Sequence, residues 1–434
     1  MSAAVTEKNT TTEVASRIEK YLSPTGPVGT LRAEALESFK SLGLPVGKAE
    51  EYKFTPITRT LEKAFSFTAD NAAAQAVDPS SYKIDGLEAD VLVFVNGVYQ
   101  AAASSINAKV TVLPLSEAIQ SHADLVLKHL GKYADVKSDA LTAWNTAAFA
   151  DGVFIHVPDK TMVERPIALY HINDTRGGQV ITANRNLIVV GKSSGVTVLE
   201  KFDTLGNSAG FSNTVTEAFV SENATLDFYS IQNDVARHQY GLIQVYQQNF
   251  SRVNTYTFTL NGKLVRNNLQ LSLDGEGIES HMYGLYLLTG DTLADNHTVV
   301  DHKKPNSFSN ELYKGIMDGS SKGVFNGKIY VRPQAQKTNA FQANRNILMT
   351  DKATVNTKPQ LEIWADDVKC SHGCTTGQLD EEALFYLRTR GIDKPSAQAM
   401  ILYAFAGEVL SNIKHPLLKT YLEKIVSERL HQNF

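Results

Sequence analysis

The sequence has very little cysteine and no long apolar run. Only two of its 434 residues are cysteines, so it has no disulfide framework of the kind that holds small secreted domains together. Its longest uninterrupted apolar run, residues 400–406, is far shorter than the roughly 20 residues of a membrane-spanning helix. Residues 1–12 are polar and lack the basic and then apolar pattern of a secretion signal. These absences predict a soluble protein in a reducing cytoplasm, with no membrane association.

An excess of charge of one sign is also missing. The chain has 42 basic and 46 acidic residues, a net charge of −4, and no basic cluster that would mark a phosphate-binding surface. We therefore expect no nucleic-acid partner. The sequence contains no glycine-rich phosphate loop, no Gly-x-Ser-x-Gly elbow and no His-Glu-x-x-His helix. From these missing motifs we expect no complete active site for turnover.

The centre of the chain has the pattern of β-strands. From about residue 153, helical periodicity disappears for roughly 200 residues and short alternating runs replace it. Leu269, Leu271 and Leu273 alternate with polar residues, and residues 224–229 and 255–260 have the same period of two. A period of two is that of an extended strand with one buried face.

These strands recur at a nearly constant spacing. Comparable strand starts lie at Val196, Ala224, Val253 and Ile278, which are 28, 29 and 25 residues apart (224−196, 253−224 and 278−253), and later ones at Val324 and Ala353. A repeat of this length with no helix inside it predicts a β-solenoid, in which each rung buries a row of side chains. A large antiparallel sandwich would give the same alternation, but it has no reason to keep a constant spacing.

Helical segments flank the strands. Residues 1–150 are predicted to form a mainly helical region with one β-hairpin, because Asn96-Gly97 lies between two strand-like runs. Residues 151–368 would form the solenoid core. Residues 369–434 would form a C-terminal region that holds a cysteine motif and further helices.

Both cysteines lie in one short stretch, KCSHGC at residues 369–374. If this stretch is a strand, Cys370, His372 and Cys374 share one face, although Gly373 could interrupt it. Thiolate and imidazole groups bind zinc and iron, so these three residues are candidate metal ligands. The alternative is that the cysteines are small buried apolar residues and the histidine a surface residue, because zinc patterns need a second ligand pair.

One predicted C-terminal helix has apolar residues on nearly all of its faces. It contains residues 400–406 and is predicted to be buried on several sides or to bind a partner. Met400, Tyr403 and Phe405 are the candidate partner-binding residues.

Residues 358–391 (KPQLEIWADDVKCSHGCTTGQLDEEALFYLRTRG) resemble the SufB/SufD family of iron–sulfur cluster assembly scaffolds, and its SufD branch in particular. The resemblance extends through residues 302–314 and 331–346 and into the last helices. Residues 48–56 (KAEEYKFTP) resemble the N-terminal segment of the family, with Tyr52 where tryptophan is common. The SufB branch carries its sulfur-accepting cysteine inside the β-helix, whereas this sequence has no cysteine outside the terminal motif.

The resemblance implies a mainly β fold, a right-handed parallel β-helix with helical parts at both ends. It also implies a scaffold rather than an enzyme, which pairs edge to edge with SufB and binds the ATPase SufC through its C-terminal helices. A nascent iron–sulfur cluster would be held transiently and shared with SufB. His372 maps onto a candidate ligand, and Cys370 is its neighbour.

Further expectations follow from the same resemblance. Cys374 stands where alanine is usual, so it is either a spare ligand or a small apolar filler. The ATP energy would come from SufC, which implies that this chain binds no nucleotide. An exposed sheet edge would also allow the isolated chain to form a homodimer.

Two other functional classes stay open from the residues. The first is a β-solenoid carbohydrate-active enzyme, although the sequence shows no obvious carboxylate cluster. The second is an inert structural β-helix module in which the Cys-His-Cys stretch has no chemistry.

Overall fold

The protein is mainly β, with helices at both ends of the chain. The computed structural model describes residues 2–22, 25–47, 49–71, 73–75, 77–107, 109–234 and 236–433. The strands are β1 (Asp90–Val95), β2 (Val98–Tyr99), β3 (Thr111–Pro114), β4 (Val153–Val157), β5 (Ile167–Asp174), β6 (Val180–Val190), β7 (Gly195–Leu205), β8 (Gly210–Val220), β9 (Thr225–Asn233), β10 (Arg237–Gln247), β11 (Arg252–Asn261), β12 (Leu264–Leu273), β13 (Glu279–Leu288), β14 (Leu293–His302), β15 (Phe308–Met317), β16 (Lys322–Val331), β17 (Asn339–Leu348), β18 (Thr354–Ile363) and β19 (Lys369–Gly377). The helices are α1 (Ser2–Tyr21), α2 (Gly29–Leu42), α3 (Ile57–Ala64), α4 (Leu115–Ser121), α5 (Ala123–His129), α6 (Ala140–Ala148), α7 (Glu381–Thr389), α8 (Lys394–Leu410) and α9 (Pro416–Asn433).

The strands form two sheets that enclose one core. Sheet A has the order β19-β17-β15-β13-β11-β9-β7-β5-β1-β2, and sheet B the order β18-β16-β14-β12-β10-β8-β6-β4-β3. From β4 onwards, strands of one sheet are parallel and the chain alternates between the sheets, so each turn adds one strand to each. This parallel pairing confirms the predicted β-solenoid and rules out the antiparallel sandwich.

The predicted repeat length agrees with the structure, but the predicted strand starts belong partly to sheet A and partly to sheet B. Arg252 pairs with Thr225 and with Glu279, each 27 residues away (252−225 and 279−252). The first four predicted strand starts lie at sheet A strands and the last two at sheet B strands: Val196, Ala224, Val253 and Ile278, then Val324 and Ala353. Alternation has the same period in both sheets, so the sequence pattern did not separate them.

The inward faces of the strands form apolar ladders. One ladder of sheet B runs through in-register positions of successive strands: Ile188, Ala218, Val245, Leu271, Val300, Ile329 and Leu361. Fully burying one large aliphatic side chain contributes roughly 1.5–3 kcal/mol. A slip of one residue would turn the whole ladder outward, so burial fixes the register.

The C-terminal helices pack on the outer face of sheet A. There Tyr229, Tyr256 and Tyr283 stack with ring centroids 4.3 and 5.4 Å apart, on adjacent strands. The Tyr256 hydroxyl donates a hydrogen bond to the Asn412 carbonyl oxygen at 2.9 Å, just after α8. Buried residues of α8 and α9, such as Leu402, complete this second core.

The N-terminal helices pack on the outer face of sheet B. Trp144 of α6 contacts Phe211 of β8, with ring centroids 5.5 Å apart. Deeper down, Arg185 Nη2 donates a hydrogen bond to Glu217 Oε2 at 2.6 Å, and both side chains are fully buried. Glu217 also accepts hydrogen bonds from backbone N–H groups after α5, including that of Gly131. This buried charge pair therefore anchors the helical region to the solenoid.

The two ends of the solenoid differ. At the first end, Asn96-Gly97 form the predicted hairpin turn between antiparallel β1 and β2, both with positive φ (49° and 80°). Antiparallel β3 ends sheet B there. At the other end, β18 and β19 have a strand partner on one side only, within the described ranges.

Residues 369–377 form β19 and therefore belong to sheet A. The predicted division of the chain into three regions, with boundaries at residues 150 and 368, stays a proposal. No helix among the described residues is long and apolar enough to cross a membrane.

Candidate functional site

The Cys-His-Cys motif lies on β19, the last strand of sheet A. Three of its residues pair in register with buried residues of β17: Cys370 with Ala340, His372 with Gln342, and Cys374 with Asn344. In-register residues of parallel strands point to the same side of a sheet, so the three side chains face the open end of the solenoid interior. The predicted shared face is confirmed, and Gly373 does not interrupt the strand.

The three side chains differ in exposure. Cys370 is half-buried against the interior core, whereas His372 and Cys374 are exposed, and both cysteines are free thiols. Burial raises the pKa of the Cys370 thiol. Because the thiolate is the form that binds metal, Cys370 must lose a more tightly held proton before it can become a ligand.

The spacing of the strand limits what the motif can hold. At about 3.3 Å per residue, Cys370 and Cys374 are about 13 Å apart along the strand, whereas metal–ligand bonds are about 2.0–2.3 Å long. In keeping with this, no three His, Cys, Asp or Glu side chains of the described residues are close enough to hold a metal ion. The strand can offer His372 and one neighbouring cysteine, so the other ligands would have to come from outside the chain.

A buried polar pair lies behind His372 in the solenoid. Gln342 is the register partner of His372, and its Nε2 donates a hydrogen bond to Glu311 Oε2 at 2.7 Å. Neither Gln342 Oε1 nor Glu311 Oε1 has a hydrogen-bond partner among the described residues. Burial raises the pKa of Glu311 to about 7. Sequence reasoning missed this pair, although Glu311 has the same strand phase as the inward-facing Tyr313.

Two further histidines, His297 and His302, lie on opposite faces of β14, because they are five residues apart and a strand has a period of two. His302 points inward and contacts Ser309 Oγ at 2.9 Å, and burial lowers its pKa to about 3. His297 points outward, with Nε2 2.9 Å from Asp295 and Nδ1 3.3 Å from Glu51. Both histidines have partners within the fold, and neither joins the β19 motif.

The N-terminal segment that carries part of the resemblance packs against sheet B. Lys48 lies outside the described residues. The Tyr52 ring is buried, its hydroxyl donates a hydrogen bond to Asp139, and the Arg266 guanidinium lies 4.3 Å from its centroid. An aromatic residue at position 52 therefore fastens the segment to the solenoid.

The three candidate partner-binding residues on α8 are not equally accessible. Met400 is 48% exposed, whereas Tyr403 and Phe405 are half-buried. Lys314 Nζ lies 4.2 Å from the centroid of the Phe405 ring and donates a hydrogen bond to the Phe405 carbonyl oxygen at 2.9 Å. Phe405 thus fixes α8 to sheet A.

Two strongly exposed aromatic residues lie on α7, where we had not predicted a binding surface. Phe385 is 70% exposed and Tyr386 56% exposed. The available signal was the run of residues 384–387 (LFYL), which places apolar residues on more than one side of a helix.

Comparison with known proteins agrees with this architecture. The family model described as "SUF system FeS cluster assembly, SufBD core domain" matches residues 171–405, and that of the "SufBD protein N-terminal region" matches residues 13–169. An iron–sulfur cluster assembly SufBD family protein of Synechocystis is 31% identical over 99% of this chain and 98% of its own length. The iron–sulfur cluster assembly protein SufD of Escherichia coli is 32% identical over 91% of both chains, and that of Bacillus subtilis 26% identical over 95% of this chain and 96% of its own. The chain therefore belongs to the SufBD family of iron–sulfur cluster assembly proteins.

Proposed function

We propose that this chain is the SufD-type scaffold subunit of a cytoplasmic SUF complex, which pairs with SufB and the ATPase SufC to build and transfer nascent iron–sulfur clusters. The observation that carries the proposal is the exposed edge strand β19, with His372 and both cysteines facing the open end of the solenoid. The membership of the chain in the SufBD family favours this role over that of a carbohydrate-active enzyme. The chain acts as an assembly surface and not as an enzyme.

The chemistry of the motif suits a site that is completed by a partner. Iron–sulfur clusters take thiolate ligands and, less often, imidazole ligands. His372 with Cys370 supplies two donors, which is half of a four-ligand set, and SufB would supply the rest. A scaffold must release its product, and a shared site comes apart more readily than a complete cage of four thiolates. A neutral imidazole also binds iron reversibly, and we assign His372 to iron entry.

The backbone of β19 supports edge-to-edge pairing with SufB. The Lys369 N–H donates to the Thr338 carbonyl oxygen of sheet A. Because backbone groups alternate sides along a strand, the N–H and C=O groups of Cys370, His372 and Cys374 point to the free edge. A partner strand at that edge would bring its own side chains next to these residues. In the absence of SufB, the same edge would allow a homodimer.

We assign SufC binding to the C-terminal helices. Exposed apolar side chains of α7 and α8 support this assignment, namely Phe385, Tyr386 and Met400. Phe385 and Tyr386 are adjacent in the chain, and a contiguous exposed apolar patch is a common mark of a protein-binding surface.

The test is to co-express His372→Ala with SufB and SufC, purify the complex without oxygen, and measure bound iron and sulfide. Ser371→Ala is the matched control, because Ser371 is on the same strand with its side chain on the opposite face. We expect the variant complex to form, since one exposed side chain rarely carries an interface, but to lose most of its iron. Iron content equal to the control would make His372 a structural residue. Failure of the complex to form would make it an interface residue.

A further inference from the structure

A groove of about 570 Å³ lies between the end of α5 and the outer face of sheet B. Its floor includes Gln244 and Tyr246 of β10, and Lys128 and Lys132 line its rim. β10 lies in the middle of sheet B, so the groove is remote from β19. Its volume is within the range of about 300–1,000 Å³ for small-molecule sites.

The groove carries an excess of positive charge. Lys128 and Lys132 are exposed and Lys303 is half-buried, and none of these three lysines makes an ion pair in the described part of the chain. Asp274 accepts a hydrogen bond from the Tyr246 hydroxyl at 2.6 Å and offsets one of the three charges. Burial lowers the pKa of His129, so this residue adds no charge near neutral pH. The remaining positive charge favours an anionic ligand.

Aromatic rings line the same groove. The Tyr133 and Tyr246 rings stack with centroids 5.3 Å apart, and Phe219 stacks beside both. His129 Nδ1 lies 2.6 Å from the Tyr133 hydroxyl and holds that ring in place. Lys303 Nζ lies 5.8 Å from the centroid of Tyr246. A planar ligand can stack on such a fixed aromatic surface, and each stacked base contributes about 1–3 kcal/mol in single-stranded nucleic-acid sites.

A side-chain amide faces the groove and is available to a ligand with hydrogen-bonding edges. Gln244 lines the groove, its side chain forms no hydrogen bond with another described residue, and its amide atoms reach the solvent of the groove. An amide offers one acceptor oxygen and two donor hydrogens, which match the donor and acceptor edge of a heterocycle.

We propose that this groove is a nucleotide-binding site. Lys128, Lys132 and Lys303 contact the phosphates, the base stacks on Tyr133 and Tyr246, and Gln244 binds the edge of the base. The missing glycine-rich loop excludes a phosphate cradle of backbone N–H groups, but it does not exclude phosphates held by lysine side chains. The proposal is independent of the β19 motif, and it would correct our expectation that the chain binds no nucleotide.

The test is calorimetric titration of the purified full chain with ADP, adenosine and pyrophosphate in magnesium-free buffer. We expect ADP to bind more tightly than either fragment and its affinity to fall as salt is added. The Lys128→Gln/Lys132→Gln double variant should weaken ADP binding at least about tenfold. Gln244→Leu should weaken both ADP and adenosine. The matched control is Lys352→Gln/Lys394→Gln, a pair of exposed lysines outside the groove.

Three outcomes would overturn the proposal. The first is no saturable ADP binding below about 1 mM, the weak end of specific affinities. The second is equal ADP affinity for the groove variant and the control. The third is pyrophosphate binding as tightly as ADP, which would leave an anion site without base recognition. Thermal denaturation of each variant checks folding, and the exposed positions of the lysines make unfolding of the double variant unexpected.

Discussion

Glu311 is a carboxyl group in the interior of the solenoid, and its protonation is coupled to folding. Burial raises its pKa from 4.5 to about 7. Between these two pH values the folded state binds more protons than the unfolded state, so the free energy of unfolding falls as pH rises through this window. Above about pH 7 this loss is complete, and it amounts to at most about 3 kcal/mol.

We predict that Glu311→Gln removes this pH dependence. Relative to wild type, the variant should gain up to about 3 kcal/mol of stability between pH 5 and pH 8. The measurement is urea denaturation at several pH values. Glu164→Gln is the control, because Glu164 is exposed and its change should leave the pH profile unaltered. Parallel profiles for Glu311→Gln and wild type would show that Glu311 is ionised in the folded protein across this range.

Gly327 makes room for the polar pair behind His372. A Cβ atom at position 327 would lie 2.2 Å from Gln342 Nε2, so Gly327→Ala must displace the Gln342 side chain. We predict a loss of about 1–3 kcal/mol of stability, as for other overpacked cores. The control is Gly373→Ala, where a Cβ would meet nothing within 4 Å. Equal thermal stability of the two variants would contradict the predicted clash.

The cysteine motif shows how far sequence reasoning reaches at this scale. Offsets of two predicted that Cys370, His372 and Cys374 share a face, because a strand has a period of two. The pattern could not show that their strand is the last of its sheet, since that depends on where the pairing stops. It also could not reveal Glu311 and Gln342, because these residues come next to His372 only when successive turns stack.

At the scale of the elements, helices α7 and α8 have different roles. The exposed aromatic residues that could bind a partner lie on α7, whereas the sequence had indicated both partner binding and burial for α8. Phe385 is exposed on α7, whereas the Phe405 ring of α8 packs against Lys314 of sheet A. We predict that Phe385→Ser weakens SufC binding without loss of stability. Phe405→Ser should instead cost about 1–3 kcal/mol of stability, because it removes a partly buried ring.

The measurements are co-purification with SufC and thermal denaturation of each purified variant. If Phe385→Ser retained SufC at the wild-type level, the docking surface would lie away from α7. A Phe405→Ser variant that keeps wild-type stability but loses SufC would restore Phe405 as a contact residue, as the sequence first indicated.

Secondary-structure elements could be predicted from the sequence where a local residue pattern alone determines them. The strands and the Asn96-Gly97 hairpin follow from alternation and turn chemistry. The sequence did not predict that each turn is divided between two sheets, because inward and outward residues alternate with the same period in the strands of both sheets. Only the partner of each strand separates the sheets, and pairing is a long-range property.

At the scale of the whole molecule, the free edge of β19 is the surface that we assign to SufB. Thr376 has its N–H on the free edge, by the same alternation that places the Lys369 N–H toward Thr338. Proline at an edge position costs the sheet no internal hydrogen bond. We predict that Thr376→Pro weakens pairing with SufB at least about tenfold while the chain stays folded.

Thr375→Pro is the matched control, because the Thr375 N–H points toward β17. This substitution should lower thermal stability, since it removes a hydrogen bond of the solenoid itself. Analytical ultracentrifugation of mixtures with SufB measures the pairing. Undiminished pairing by a folded Thr376→Pro variant would place the SufB contact on side chains and not on the strand edge.

The difference between the two ends of the solenoid also favours one end for assembly. The outermost strands of the first end are short and antiparallel, with two residues in β2 and four in β3, whereas β18 has ten residues and β19 has nine. Very short edge strands offer few free backbone groups to another chain, so we expect edge-to-edge contact at the end with β18 and β19. Once two such ends meet, the edges left over are the short ones, which disfavours growth into fibres.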